Sequence, residues 1–403
     1  MPIRAGNRKT ACVLFVVVLA ALSLSAQSVP ARDIADQKPG QRTGHTESFE
    51  ELAQRAQAAL VADKVPEAIR LYERATAIQP NWAEGWWHLG TLFFDTGRFR
   101  EARDAFGNFL TIEKKEPGPG FAMLGLCEFQ LKDYPKSRAA LERGIKLGLG
   151  TNSVFARSVL YEDGILNTLL GQPEVALQRF TLIANQIAAA HPESPKDSVL
   201  GDSELLDAFG IAALRIPKLP ADIPATKAAL VRSAGRAQAF IALQDRVSAD
   251  AELKQLVAQY PSESGVHYFY GVFSLKEHPP LALDEFRREI EVTPSHTAAR
   301  INLAFELLNA ADYDQGLKYA TEAIALEPNN FVAHVVCGRL WLALNNTSRA
   351  VQELRIAVKL APGSPDAHFA LSRALTQAGQ TSEAARERAQ FQRLKGLADA
   401  ASR

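Results

Sequence analysis

From Phe49 onward the apolar residues recur every three or four positions, the spacing that lays one apolar stripe along a helix. Short breaks interrupt the stripes, among them Asp95-Thr96-Gly97, Leu170-Gly171-Gln172 and Ala378-Gly379-Gln380. The pattern predicts helix, turn, helix, repeated along the chain. A longer period lies over it. Pro294, Pro328 and Pro362 fall at steps of 34 residues, and Pro261 precedes Pro294 by one residue less. Each follows an apolar segment, as in DEFRREIEVTP, KYATEAIALEP and QELRIAVKLAP, and its missing N–H and fixed ring end the helix there. Twelve residues before the closing proline stands a small residue: Ala68 before Pro80, Ala249 before Pro261, Ala282 before Pro294, Gly316 before Pro328 and Ala350 before Pro362. Tyr72, Phe106, Phe180 and Phe286 each lie four residues after a small residue, on the same helical face. A small side chain lets two helices touch, and a large one fills the space beside the contact.

In WWHLGTLFFDTGRFREARDAF, Trp86, Leu89, Gly90 and Phe93 lie on the first helix of such a pair, Gly97 in its turn, and Phe99, Ala102 and Phe106 on the second. In that order these residues resemble the tetratricopeptide repeat family. Gly125, Gly164 and Gly338 recur at the position of Gly90, and Ala304 stands there in the unit that closes at Pro328. The resemblance implies an all-α fold, an α-solenoid of helix-turn-helix repeats wound as a right-handed superhelix. Its units fall near 49–82, 83–117, 118–151, 157–190, 230–262, 263–296, 297–330, 331–364 and 365–398. Lys114, Leu149 and Ala188 stand where the second to fourth units would close on proline. The units group into an N-terminal block, 49–200, and a C-terminal block, 230–403, that ends in a capping helix. Between them, LLDAFGIAALR reads as a first helix but IPKLPADIP cannot be helical throughout, so 201–229 is expected to be an irregular helical insertion or a broken repeat.

Composition changes this picture little. The 45 basic and 45 acidic residues cancel, so no long-range field recruits nucleic acid or an anionic membrane. The N-terminus adds an address. Arg4, Arg8 and Lys9 precede an apolar run from Ala11 to Leu24, followed by Ser25-Ala26-Gln27, the order of a secretory signal. Residues 1–26 are expected to be a signal peptide cut after Ala26, with a cut after Ala31 or an uncut membrane anchor as alternatives. The chain is then exported, to a periplasm or beyond the cell, and otherwise makes no stable membrane insertion. Residues 27–48, with Pro30, Pro39, Gly40 and Gly44 and no apolar period, are expected to be a flexible linker. Cys127 and Cys337 are too far apart along a repeat array to pair, and both are expected to be buried thiols.

The eight histidines are scattered, with no pair spaced to hold a metal around a glutamate. His334 and His368 occupy the same position of adjacent units, where core packing is the expected role. There is no phosphate-cradling loop and no nucleophile elbow, so no catalytic residue, metal or cofactor is assigned and the chain is not expected to be an enzyme.

The resemblance places a concave surface on the first helices, at the second, fifth, ninth, twelfth and thirteenth positions of each unit, and implies that it binds a peptide or partner protein. Those positions hold Trp87, Phe94, Phe129, Tyr161 and Ile165 in the N-terminal block, and Ile301, Phe305, Asn309, Arg339, Phe369 and Arg373 in the C-terminal block. The Lys, Asn and Arg cluster by which chaperone-tail binders of this family hold a terminal carboxylate is absent. The aromatic set predicts an apolar or helical segment, and Arg339 with Arg373 predicts an acidic contact. The expected function is an exported protein-interaction scaffold that assists assembly of envelope or secreted complexes. The alternative is a solenoid that binds a small molecule or glycan by stacking on Trp86, Trp87, Phe93 and Phe94.

Overall fold

Residues 47–115 and 117–401 are described by a computed structural model. The expected signal over 1–26, and the linker up to residue 46, lie outside the described residues. Glu47 and Ser48 lead into the first helix, and Ser48 closes a capping box: its hydroxyl accepts from the Glu51 N–H at 3.2 Å, and the Glu51 carboxylate accepts from the Ser48 N–H at 2.9 Å.

The regular structure of the described residues is helical. Antiparallel neighbours follow in pairs: α1 (Phe49–Val61) with α2 (Val65–Ile78), α3 (Ala83–Asp95) with α4 (Phe99–Ile112), α5 (Gly118–Gln130) with α6 (Tyr134–Leu147), and α7 (Ser153–Leu169) with α8 (Pro173–Ala190). After α9 (Pro195–Gly201) and α10 (Ser203–Ala213), pairing resumes with α11 (Ala228–Ala242) and α12 (Arg246–Gln259), then α13 (Val266–Ser274) and α14 (Pro279–Val292), and α15 (Thr297–Asn309) and α16 (Tyr313–Leu326). The last pairs are α17 (Phe331–Ala343) with α18 (Thr347–Leu360) and α19 (Pro365–Gln377) with α20 (Thr381–Ala401). Helix pairs stacked in this way form an all-α repeat solenoid. Two compact units divide the chain within α8, one ending at Ile183 and the other beginning at Ala184. None of the described helices is long and apolar enough to cross a membrane.

The packing inside a pair follows from two residues sixteen positions apart. A Cβ added at Gly90 would stand 2.7 Å from the ring of Phe106, and one added at Gly164 only 2.3 Å from the ring of Phe180. Gly125 meets Leu141 in the same way, and Gly338 meets Leu354. Where the first helix carries an alanine instead, at Ala304, the residue sixteen later is Ala320, and both are fully buried. At the four glycines the second-helix side chain occupies the space a first-helix Cβ would take, whereas Ala56 with Tyr72 and Ala237 with Leu253 bury a methyl and a large side chain at the same offset. The small residues of the second helices, Ala68, Ala102, Ala176, Ala249, Ala282 and Ala350, are likewise fully buried. So are Phe106, Phe180 and Phe286, each of which removes enough apolar surface from water to contribute about 1.5–3 kcal/mol. Cys127 and Cys337 are free thiols within this core. Burial is the first cause pushing both up to about 12, so neither is a ready nucleophile.

Except between α13 and α14, the turns inside the pairs hold one residue in the left-handed region. Gly97, Gly171 and Gly379 take this place without steric penalty, whereas Asp63, Lys132, Ala311 and Asn345 take it as non-glycine residues. The stretch 201–229 contains α10 and two 3-10 turns, Pro220–Asp222 and Ala225–Lys227. α10 lies against α11 at backbone contact, because Gly210 faces the Val231 carbonyl and Gly235 faces the Leu206 carbonyl. An added Cβ at either glycine would fall 1.9 Å from the opposing oxygen.

Gly164→Ala is expected to destabilise the chain by about 1–3 kcal/mol, because the Phe180 ring has nowhere to retreat. In that background Phe180→Leu should cost less than it does alone. Denaturation of the two single variants and the double variant measures this coupling, and strictly additive losses would contradict the shared-volume account.

Candidate functional site

Helices α15, α17 and α19 are the first helices of three successive pairs, and they line an open groove of about 450 Å³. α15 contributes Phe305. α17 contributes Phe331, Val332, Val335, Val336, Arg339 and Leu342, and Ser364 with α19 contributes Asp366, Phe369, Ala370 and Arg373. The spacing is that of one helical stripe, with Val332, Val335, Arg339 and Leu342 three or four residues apart, as are Asp366, Phe369 and Arg373. α17 carries apolar residues on both its inner and its groove side: Cys337 and Gly338 pack inward, while Val332 remains 38% exposed beside the groove.

Two guanidinium groups set the electrostatics. Arg339 is half-buried and lies over the ring of Phe305, 5.0 Å from its centroid. Burial, and then the neighbouring Arg373, pull its pKa below the usual guanidinium value, with Asp366 acting in the opposite sense. The group stays charged, and that charge is poorly compensated. Arg373 is exposed at the same position of the next unit. Among the described residues, neither guanidinium has an ion-pair or hydrogen-bond partner. Phe369 is 46% exposed and rests on Phe391 of α20 at 5.1 Å.

Four of the residues marked from the sequence, Phe305, Arg339, Phe369 and Arg373, thus meet in one groove. Ile301 is buried in the core beside them, and Asn309 is exposed, with Glu306 one turn back as its 3.4 Å neighbour. Neither lines the cavity. The N-terminal set is placed differently, because each ring leans on the second helix of its own pair. Trp87 is 8% exposed, with Phe106 at 5.6 Å and Phe109 at 5.2 Å. Phe94 packs on Phe99, Phe129 on Tyr134, and Tyr161 on Phe180. Ile165 is buried. Phe93 is also buried, and the Trp86 indole N–H donates to the Pro80 carbonyl at 2.7 Å. Val332, Val335, Leu342 and Asp366 were not singled out individually. They occupy the second, fifth and twelfth positions of their units, and that register was the available signal.

The repeated histidines form a separate polar feature. His267 Nδ1 is 2.6 Å from a Glu285 oxygen and its Nε2 is 3.0 Å from the Pro261 carbonyl. His334 repeats the geometry with Glu353 at 2.7 Å and Pro328 at 2.9 Å, and His368 with Glu387 at 2.5 Å and Pro362 at 3.0 Å. In each case the ring takes the place that Trp86 takes towards Pro80, six residues after the closing proline. These rings bond one unit to the exit of the previous one and to their own second helix. No cluster of three metal-ligating side chains occurs among the described residues. Both nitrogens of His267 face acceptors, which suits the doubly protonated ring, and the Glu285 hydrogen bond raises its pKa.

Three stretches of the chain, 54–108, 301–365 and 337–390, match the tetratricopeptide repeat model, and the last two overlap across the groove. These stretches are tetratricopeptide repeats. No curated protein sequence matches the chain. Among solved structures, residues 41 to the end of MamA from Desulfovibrio magneticus RS-1 are similar at 16% identity, over 42% of this chain and 96% of that one, with a TM-score of 0.39. The Cut9–Hcn1 hetero-tetramer of the APC/C is similar at 14% identity, over 86% of this chain and 79% of that one, with a TM-score of 0.34.

His296 titrates in the opposite sense to His267. It caps α15 by accepting from the Ala299 N–H at 3.1 Å, and burial, followed by Arg215, lowers its pKa to about 4. Its stabilising contribution is complete above the unfolded value of about 6.5 and is lost as pH falls towards 4. The contribution of His267 is complete below that unfolded value and fades as pH rises through its raised pKa. His296→Asn keeps a capping acceptor and removes the titration, so its Tm should fall less than that of the wild type between pH 7 and pH 4.5. At about 2–4 °C per kcal/mol the gap is measurable by thermal melts. Parallel curves would show that His296 does not carry this acid sensitivity.

Proposed function

We propose that this chain is an exported scaffold that holds a segment of a partner protein in the groove of α15, α17 and α19, in the service of envelope or secreted assemblies. The groove itself is the observation that supports this reading. Residues at equivalent positions of three successive repeats present an apolar floor and two guanidinium groups without counter-ions on one accessible surface. The tetratricopeptide repeats that build the groove suit partner recognition, and the reading involves no chemical step.

A photoreactive phenylalanine analogue placed at Phe369, inside the groove, should crosslink to one discrete protein species in cells. The same analogue at Val247, which is 84% exposed in the same unit, should give none. Equal or absent adducts at both positions would remove the groove from the account. Export is tested by fractionation and N-terminal sequencing: the proposal requires a chain recovered outside the cytoplasm, beginning at Gln27 or at Arg32 if the signal is cut, or held at the membrane if it is not. A cytoplasmic chain that retains Met1 would refute it.

A further inference from the structure

We infer that the groove selects segments in which an acidic side chain lies beside a bulky apolar one; this rests on reading the groove as a peptide site. Arg339 is the reason. Arg232, Arg236, Arg300 and Arg355 of the same compact unit each reach a carboxylate at 2.6 to 3.0 Å. Arg339 is half-buried and lies over the face of Phe305, and among the described residues no carboxylate forms an ion pair with it. Burial and the charge of Arg373 both work against it, and Asp366 offsets them in part. A carboxylate entering the groove would supply the missing counter-charge and could accept two parallel N–H bonds from one guanidinium. With Arg339, Arg373 and Asp366 as its ionisable lining, the groove carries a net positive charge.

The groove also has a direction. Along α19, Asp366 comes first, Phe369 one turn later and Arg373 a further turn on. Along α17, Val332 and Val335 precede Arg339. An acidic end at the start of α19 therefore passes through an apolar middle to a basic end. Phe369 and Arg373 are four residues apart, roughly 6 Å along the helix axis. A ligand with its apolar side chain over Phe369 and Val335 meets the guanidinium groups about one helical turn away. An extended peptide spans that gap in one or two residues, at about 3.3 Å per residue, and a helical one spans it at i, i+4. A carboxylate placed on the other side of the apolar anchor faces Asp366 instead.

The test uses the full chain, immobilised and challenged with a phage library of random twelve-residue peptides. Enriched sequences are then synthesised with acetylated and amidated ends, so that any carboxylate is a side chain, and each is paired with a version in which Glu or Asp is replaced by its amide. The inference expects Asp or Glu one or two residues, or four residues, from Leu, Ile, Phe or Met among the winners, with the amide versions binding at least 10-fold more weakly. Arg339→Gln should weaken the acidic peptides by a similar factor and barely affect the amide versions, at an unchanged Tm. Equal binding of acid and amide peptides, indifference to Arg339→Gln, or winners without acidic residues would overturn the inference. Phe369→Ser separates the two levels. If it abolishes binding that Arg339→Gln leaves intact, the groove stands and the acidic preference falls. If neither variant matters, both fall.

Discussion

The structure depends on the absence of a side chain at one position of the first helix. At Gly90, Gly125, Gly164 and Gly338 the first helix carries no Cβ, and the second helix fills the place with Phe106, Leu141, Phe180 or Leu354. Alanine replaces the glycine in other pairs: Ala304 is matched sixteen residues on by Ala320, but Ala56 by Tyr72 and Ala237 by Leu253, all of them buried. Close-packed interiors do not absorb an extra methylene without shifting something. In the glycine-bearing pairs this contact brings the two helices close together, and a stack of pairs brings equivalent residues into rows.

The groove is a consequence of those rows. Arg339 and Arg373 stand 34 residues apart in the sequence and line one surface because each occupies the ninth position of a first helix. Buried polar groups keep the register between neighbours. His267, His334 and His368 each bond the carbonyl of the proline that closes the preceding unit, and each engages a glutamate of its own second helix. Glu289 adds a further bond of this kind: it is wholly buried and accepts from the N–H groups of Gly265 and Tyr268 at the start of α13.

Much of this was legible in the sequence because repetition encodes it. The period of the prolines, the small residue twelve positions earlier and the aromatic four positions later come from local geometry, and the helix pairs follow them. The C-terminal half of the site was legible for the same reason, since Phe305, Arg339, Phe369 and Arg373 share a register. The N-terminal aromatics show where that reasoning stops. Trp87 has a groove position by count, yet its ring is enclosed by Phe106 and Phe109, and whether a ring faces outward depends on the size of residues a whole helix away. The histidine partners were hidden for a similar reason. Nothing local in the sequence ties His334 to Glu353, nineteen residues on, and only the packed pair brings them together. The contact between Gly210 and Gly235 crosses a long irregular connection and has no periodic signature.

Amide hydrogen exchange of the full chain, with and without a saturating selected peptide, tests the central claim most directly. The account predicts slowed exchange confined to α15, α17 and α19, with α3, α5 and α7 unchanged. Protection on α16, α18 and α20, or in the unit that ends at Ile183, would contradict it.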